Sequence, residues 1–119
     1  MKDLVVPLIN AIKKEIPLLV RSAPDTGEHL EAVLGRQDLQ RCYIMLSDAL
    51  GPARKEFGER VTLDKSMQKL VDAVGGIRAD QCLFLMRGES TAVAYATLWP
   101  WASDVSRVTL KIGVLDAKP

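Results

Sequence analysis

After Ile77 the spacing of apolar residues changes from about 3.6 to 2, and that switch constrains the fold more than any other feature of this 119-residue chain. Side chains repeat along one face every 3.6 residues in a helix and every second residue in a strand, so the two periods describe different elements. Cys82 to Met86 is a continuous apolar run, as expected for a strand covered on both faces. Thr91 to Trp99 sets Val93, Tyr95, Thr97 and Trp99 against a small-residue face of Ala92, Ala94, Ala96 and Leu98, flat enough for a helix to approach closely. Val108, Leu110, Ile112 and Val114 alternate with Thr109, Lys111 and Gly113 in a third strand. Arg87-Gly88-Glu89-Ser90 places Gly at the first central position of a two-residue loop, which predicts a type II′ hairpin. Pro100 cannot donate to a ladder and closes the second strand near Trp99.

The segment before Ile77 reads as helical. Leu4, Leu8, Ile12 and Ile16, widened by Val5 and Ile9, form an apolar stripe opposite Lys13, Lys14 and Glu15, and Pro17 stops it. Leu18-Leu19-Val20 is ambiguous. Asp25 and Glu28 have the spacing of a capping box, which predicts a short helix over Thr26 to Leu34 with Gly35 as its stop. Leu39, Cys42, Tyr43, Leu46, Ala49 and Leu50 mark the clearest helix, ended by Gly51-Pro52. A further turn is expected from Pro52 to Phe57. Thr62 then caps a helix with Leu63, Met67, Leu70, Val71 and Val74 on one side, terminated by Gly75-Gly76. The expected fold is therefore α+β, with three to five N-terminal helices packed on a C-terminal three-stranded antiparallel sheet, in one domain over residues 1–119.

Charge and cysteine count narrow the function classes. Sixteen Lys and Arg nearly cancel fifteen Asp and Glu. From Arg36 to Lys69 the two signs interleave, so neither nucleic acid nor anionic lipid is the expected partner. Cys42 and Cys82 lie in apolar stretches without a C-x-x-C spacing, and free buried thiols are expected rather than a disulfide framework. Asn10, Lys13, Lys14 and Glu15 interrupt any leader-like apolar run, and no stretch nears the ~20 residues of a membrane span. A cytoplasmic protein is expected.

No motif for catalysis stands out. Ser66-Met67-Gln68-Lys69 has the S-x-x-K spelling of some acyl-transfer serines, but Ser-Asp-Asn and Lys-Thr-Gly are missing, and the pair reads as the solvent side of a helix. His29 is the sole histidine, which removes two-histidine metal sites; read as helical, it would not face Glu28 or Glu31 and is expected at the surface. Gly75-Gly76 follows a helix rather than opening one, where exposed carbonyls repel phosphate. No catalytic residue, metal ligand or cofactor is assigned.

Trp99-Pro100-Trp101 holds both tryptophans of the chain. Tryptophan is highly buried on average, so plugging the open end of the core is the favoured role and anchoring a partner the competing one. These absences rank a non-enzymatic interaction or assembly module first, in its simplest form a homodimer. Its expected interface is Val108, Leu110, Ile112 and Val114: a strand guarded only by Lys111 either pairs inside the sheet between the other two or lies at an edge and meets a copy of itself, and the second arrangement is the favoured one. The alternative is a small-ligand or sensory domain whose pocket, between sheet and helices, is lined by Met86, Tyr95, Trp99 and Trp101.

Overall fold

The computed structural model describes residues 2–22, 27–60, 65–73, 75–88 and 91–116. Helix α1, Lys2–Glu15, forms where its stripe predicts and buries Val5, Leu8, Ile9 and Ile12. Ile16 still donates its N–H to the Ile12 carbonyl at 2.9 Å, and Pro17 prevents a further turn. The chain then extends into β1, Leu18–Ser22.

The helix expected over Thr26 to Leu34 does not form. Leu30–Gly35 is strand β2, hydrogen-bonded antiparallel to β1 on one side and to β5, Arg107–Asp116, on the other. A nine-residue helix is marginal by itself, whereas two ladders satisfy the backbone of β2 on both edges. Leu30, Ala32 and Leu34 then share the buried face with Ile112, Leu110 and Val108, their register partners. Asp25 and Thr26, which carried the helical signal, lie outside the described residues.

A 3₁₀ turn at Arg36–Asp38 leads into α2, Leu39–Leu50, which buries Cys42, Leu46 and Leu50. Gly51, at φ 86°, ends it and donates to the Ser47 carbonyl at 2.9 Å. The turn expected from Pro52 to Phe57 is replaced by an extended crossing along strand β3, Cys82–Arg87. The N–H of Arg54 donates to the Leu83 carbonyl at 2.8 Å, and Leu83 returns its N–H to Lys55 at 3.0 Å. Lys55 is 3% exposed, and its ammonium donates to the carbonyls of Glu56, Ala79 and Gln81 at 2.9, 2.9 and 2.6 Å. A buried ammonium persists only when its donors are matched, and this geometry matches all three.

Helix α3, Lys65–Ala73, buries Met67, Leu70 and Val71. Gly75 and Gly76 close it with positive φ, donating to Asp72 at 3.1 Å and Val71 at 2.9 Å in the pattern of a Schellman motif. The expected cap, Thr62, and the apolar Leu63 and Val74 lie outside the described residues.

The fold class is α+β, but among the described residues the sheet has five strands rather than three, and with β4 at Ala92–Pro100 their order is β1-β2-β5-β4-β3, all antiparallel. Strand β4 pairs with β3 as the hairpin expectation required. The turn is longer than two residues: Arg87 registers with Val93, and the N–H of Gly88 donates to the Ala92 carbonyl at 3.0 Å, so Gly88 belongs to the ladder. Glu89 and Ser90 lie outside the described residues.

Strand β5, expected at an edge, is central. Its single internal charge is not a guard against edge pairing, because Lys111 lies 3.5 Å from Glu31 on the neighbouring strand. Val108, Leu110 and Ile112 are core residues, and Val114 packs against them half-buried, so none offers the expected dimer interface.

Helices α1 and α2 cover one face of the sheet, where Ala94 and Ala96 are fully buried as the flat alanine face predicts. Phe84 sits fully buried there, with the Tyr43 ring edge-on at a centroid distance of 5.2 Å. Helix α3 packs on the opposite face over Leu83, Leu85 and Val93, with Tyr95 and Leu115 half-buried beside them. No helix among the described residues is long and apolar enough to cross a membrane.

Candidate functional site

The candidate site lies on the α3 side of the sheet, beginning at Tyr95 beside that helix and running out to the part of the face where no helix packs among the described residues. Alternation in β4 sends Tyr95, Thr97 and Trp99 to this face, and register adds Thr109, Lys111 and Gly113 from β5 and Glu31 and Val33 from β2. Ladder pairing continues past Pro100, since the Trp101 N–H donates to the Arg107 carbonyl at 3.0 Å. Both tryptophans therefore belong to the same surface.

Neither tryptophan plugs the core. Both are half-buried, and among the described residues neither joins a core cluster. Each ring is instead held by polar neighbours. The Trp101 indole N–H donates to the Thr109 hydroxyl at 2.7 Å, and the Arg21 and Arg107 guanidiniums lie 5.6 and 5.5 Å from its ring centroid. Trp99 donates to Asp80 at 3.1 Å, with Arg78 4.9 Å from its centroid. Such stacking uses the negative face of the indole. Arg107 is held by Asp104, whose carboxylate accepts from the Ser106 hydroxyl at 2.6 Å and lies 3.2 Å from the Arg107 side chain. Those Ser106 hydrogen bonds, followed by the charge of Arg107, lower the Asp104 pKa. A recess of about 420 Å³ lies among Trp99, Trp101, Ala102, Ser103 and Thr109.

A second cleft, of about 490 Å³, opens between the C-terminal end of α3 and strands β2 and β5, lined by Ser22, His29, Glu31, Tyr95 and Lys111 together with Ala73 and Gly75. Gly113 is its structural key. A Cβ there would collide with His29 Nδ1 and lie 2.8 Å from both Cε1 and the hydroxyl of Tyr95, so only glycine lets the two rings converge over this strand. Burial, and then the nearby Glu31 carboxylate, raise the Tyr95 phenol above its ordinary value.

Of the sequence-predicted pocket residues, Tyr95, Trp99 and Trp101 share this face. Met86 does not: it registers with Ala94 and, 39% exposed, lies on the α1 and α2 side of the sheet. Ser66 and Lys69 are on the exposed side of α3. Cys42 and Cys82 are fully buried, and desolvation pushes both thiols up to about 12, which leaves them protonated and poorly nucleophilic at neutral pH. No group of three or more His, Cys, Asp or Glu assembles into a metal site among the described residues.

His29 and Glu31 were missed as a pair. Two residues apart, they diverge on a helix; here Glu31 on β2 and His29 just before it line the same cleft. The signal was the L-E-A-V-L alternation of residues 30–34, which fits a strand as well as a helix. Comparison of the chain with protein-family models, with curated proteins and with solved structures finds no match.

Proposed function

We propose that this chain is a protein-interaction module that self-associates through β1. The observation supporting this reading is the outer edge of β1. That strand ends the sheet, pairs only with β2 among the described residues, and exposes Leu19 by 58% and Val20 by 45%. Exposed apolar edge strands template pairing with another chain, and an identical edge related by a two-fold axis is the simplest complement. With a net charge of +1, long-range repulsion between copies is negligible. Pro17 precedes the strand and a register shift between Val20 and Ser22 interrupts it, so the regular edge is short and the dimer weak. The adjoining bare face, with Trp101, Arg21 and Arg107, has the residue types that dominate interface energetics.

Sedimentation velocity from low to high micromolar protein tests the proposal. A concentration-dependent dimer is expected, and Leu19→Lys with Val20→Lys should return it to monomer without loss of folding. A wild-type monomer throughout, or a dimer that survives both substitutions, would refute edge pairing through β1.

A further inference from the structure

The cleft over Gly113 is not used by edge pairing, and its chemistry points to a small ligand. Its volume, about 490 Å³, falls within the range of small-ligand sites. A glycine in the middle of a strand weakens it and needs a reason, and Gly113 has no positive φ to supply one. The reason on view is space, since His29 and Tyr95 converge where its side chain would stand.

The ionised groups lining the cleft are balanced: one carboxylate, Glu31, and one ammonium, Lys111, 3.5 Å apart and 40% and 38% exposed. A ligand with a single charge would satisfy one member of this pair and compete with the other. A zwitterion meets both. Donors for a ligand carboxylate are the Lys111 ammonium and the hydroxyls of Tyr95 and Ser22. Acceptors for a ligand ammonium are Glu31 and the carbonyl end of α3, which reaches the cleft at Ala73 and Gly75 and is the negative pole of that helix.

We infer that this cleft binds a small zwitterion of the α-amino-acid class, with its carboxylate on Lys111 and Tyr95 and its ammonium on Glu31. The site uses strands β2, β4 and β5, and of β1 only Ser22, beyond the register shift that ends the regular edge. Ligand binding and self-association therefore stand or fall separately.

Calorimetric and ¹⁵N NMR titration of the full chain with the individual L-amino acids, and with acetate and methylamine as single-charge controls, decides the matter. Saturable binding of at least one amino acid is expected, with shifts at Glu31, Tyr95 and Gly113 and with both controls weaker by about tenfold or more, as loss of one charge-assisted contact implies. Glu31→Gln and Lys111→Met, on a solvated ion pair, should leave the fold intact and each weaken binding by about tenfold. Gly113→Ala should abolish binding; because it can also disturb the sheet, the two ion-pair variants carry the decision. No binding by any amino acid at millimolar concentration, acetate binding as tightly as an amino acid, or ion-pair variants that bind like wild type would each overturn the inference.

Discussion

The two ends of the sheet are built from the same alternation yet differ in what covers them. At the β3 and β4 end, α1 and α2 close one face and α3 the other, and residues 54–55 shield the outer edge at Leu83. At the β1 and β2 end, among the described residues, helices cover only one face, and β1 exposes four of its five residues. The difference teaches that stability and recognition are separated in this molecule. The doubly covered end holds the buried thiols, the buried lysine and Phe84, the singly covered end holds the exposed edge and the Arg21 contact to Trp101, and Trp99 on β4 and the Gly113 cleft lie between the two.

The contrast is broken most forcefully at Phe84. Replacing this fully buried ring by alanine should destabilise the chain by about 3–5 kcal/mol in urea unfolding, whereas Leu19→Thr at the open end should change stability by no more than about 0.5 kcal/mol. Similar losses at the two positions would show that the ends do not differ as their coverage implies.

Alkaline pH is the next lever. Both thiols rise from 9.0 to about 12 on folding. Between those values the unfolded chain loses protons that the native chain keeps, so stability is full below pH ~9 and falls as pH rises toward 12. The slope expected is about 1.4 kcal/mol per pH unit for each thiol. Unfolding midpoints measured from pH 8 to 10 check this, below the range in which the Tyr43 phenol, raised from 10.0 to about 12 chiefly by its hydrogen bond to Glu56, adds to the slope, and Cys82→Ala should flatten the slope there by about half.

Lys55→Met comes third. It keeps the stem but leaves the carbonyls of Glu56, Ala79 and Gln81 without their donor, an expected loss of about 2 kcal/mol. Hydrogen exchange should localise the loosening to residues 54–59 and 78–83; a uniform change would point to a global effect instead. Smallest apart from the Leu19→Thr control is Trp101→Ala, about 1 kcal/mol or less by thermal unfolding, because its ring lies outside both core clusters.

The doubly covered end was legible in the sequence because β3 is a continuous apolar run, β4 alternates with period 2, and Gly88 and Pro100 bracket them. Residues 18–35 were not. Leu30, Glu31, Ala32 and Leu34 are good helix formers, and Asp25 with Glu28 imitates a cap. What decides their conformation is pairing with β5, a partner that local propensity cannot register. The same misreading concealed the cleft, since His29 and Glu31 converge only if residue 31 is extended. Tyr95 and Trp99 were legible as neighbours by alternation, but Met86 was placed with them without the hairpin register, which assigns it to the other face.

The position of β5 has a consequence in time. Strands β1 and β2 are close in sequence and pair directly, as do β3 and β4, but the two pairs meet only through β5, the last of the five along the chain. During synthesis, β2 and β4 therefore each wait with an unfilled inner edge until residues 107–116 have left the ribosome. Leu30 must then find Ile112 and Ala96 must find the same residue from the other side, contacts of high sequence separation that slow folding. Until that strand is inserted the nascent chain is two half-sheets with sticky flanks, the stage at which a chaperone is most needed and a stalled or truncated product most prone to aggregate.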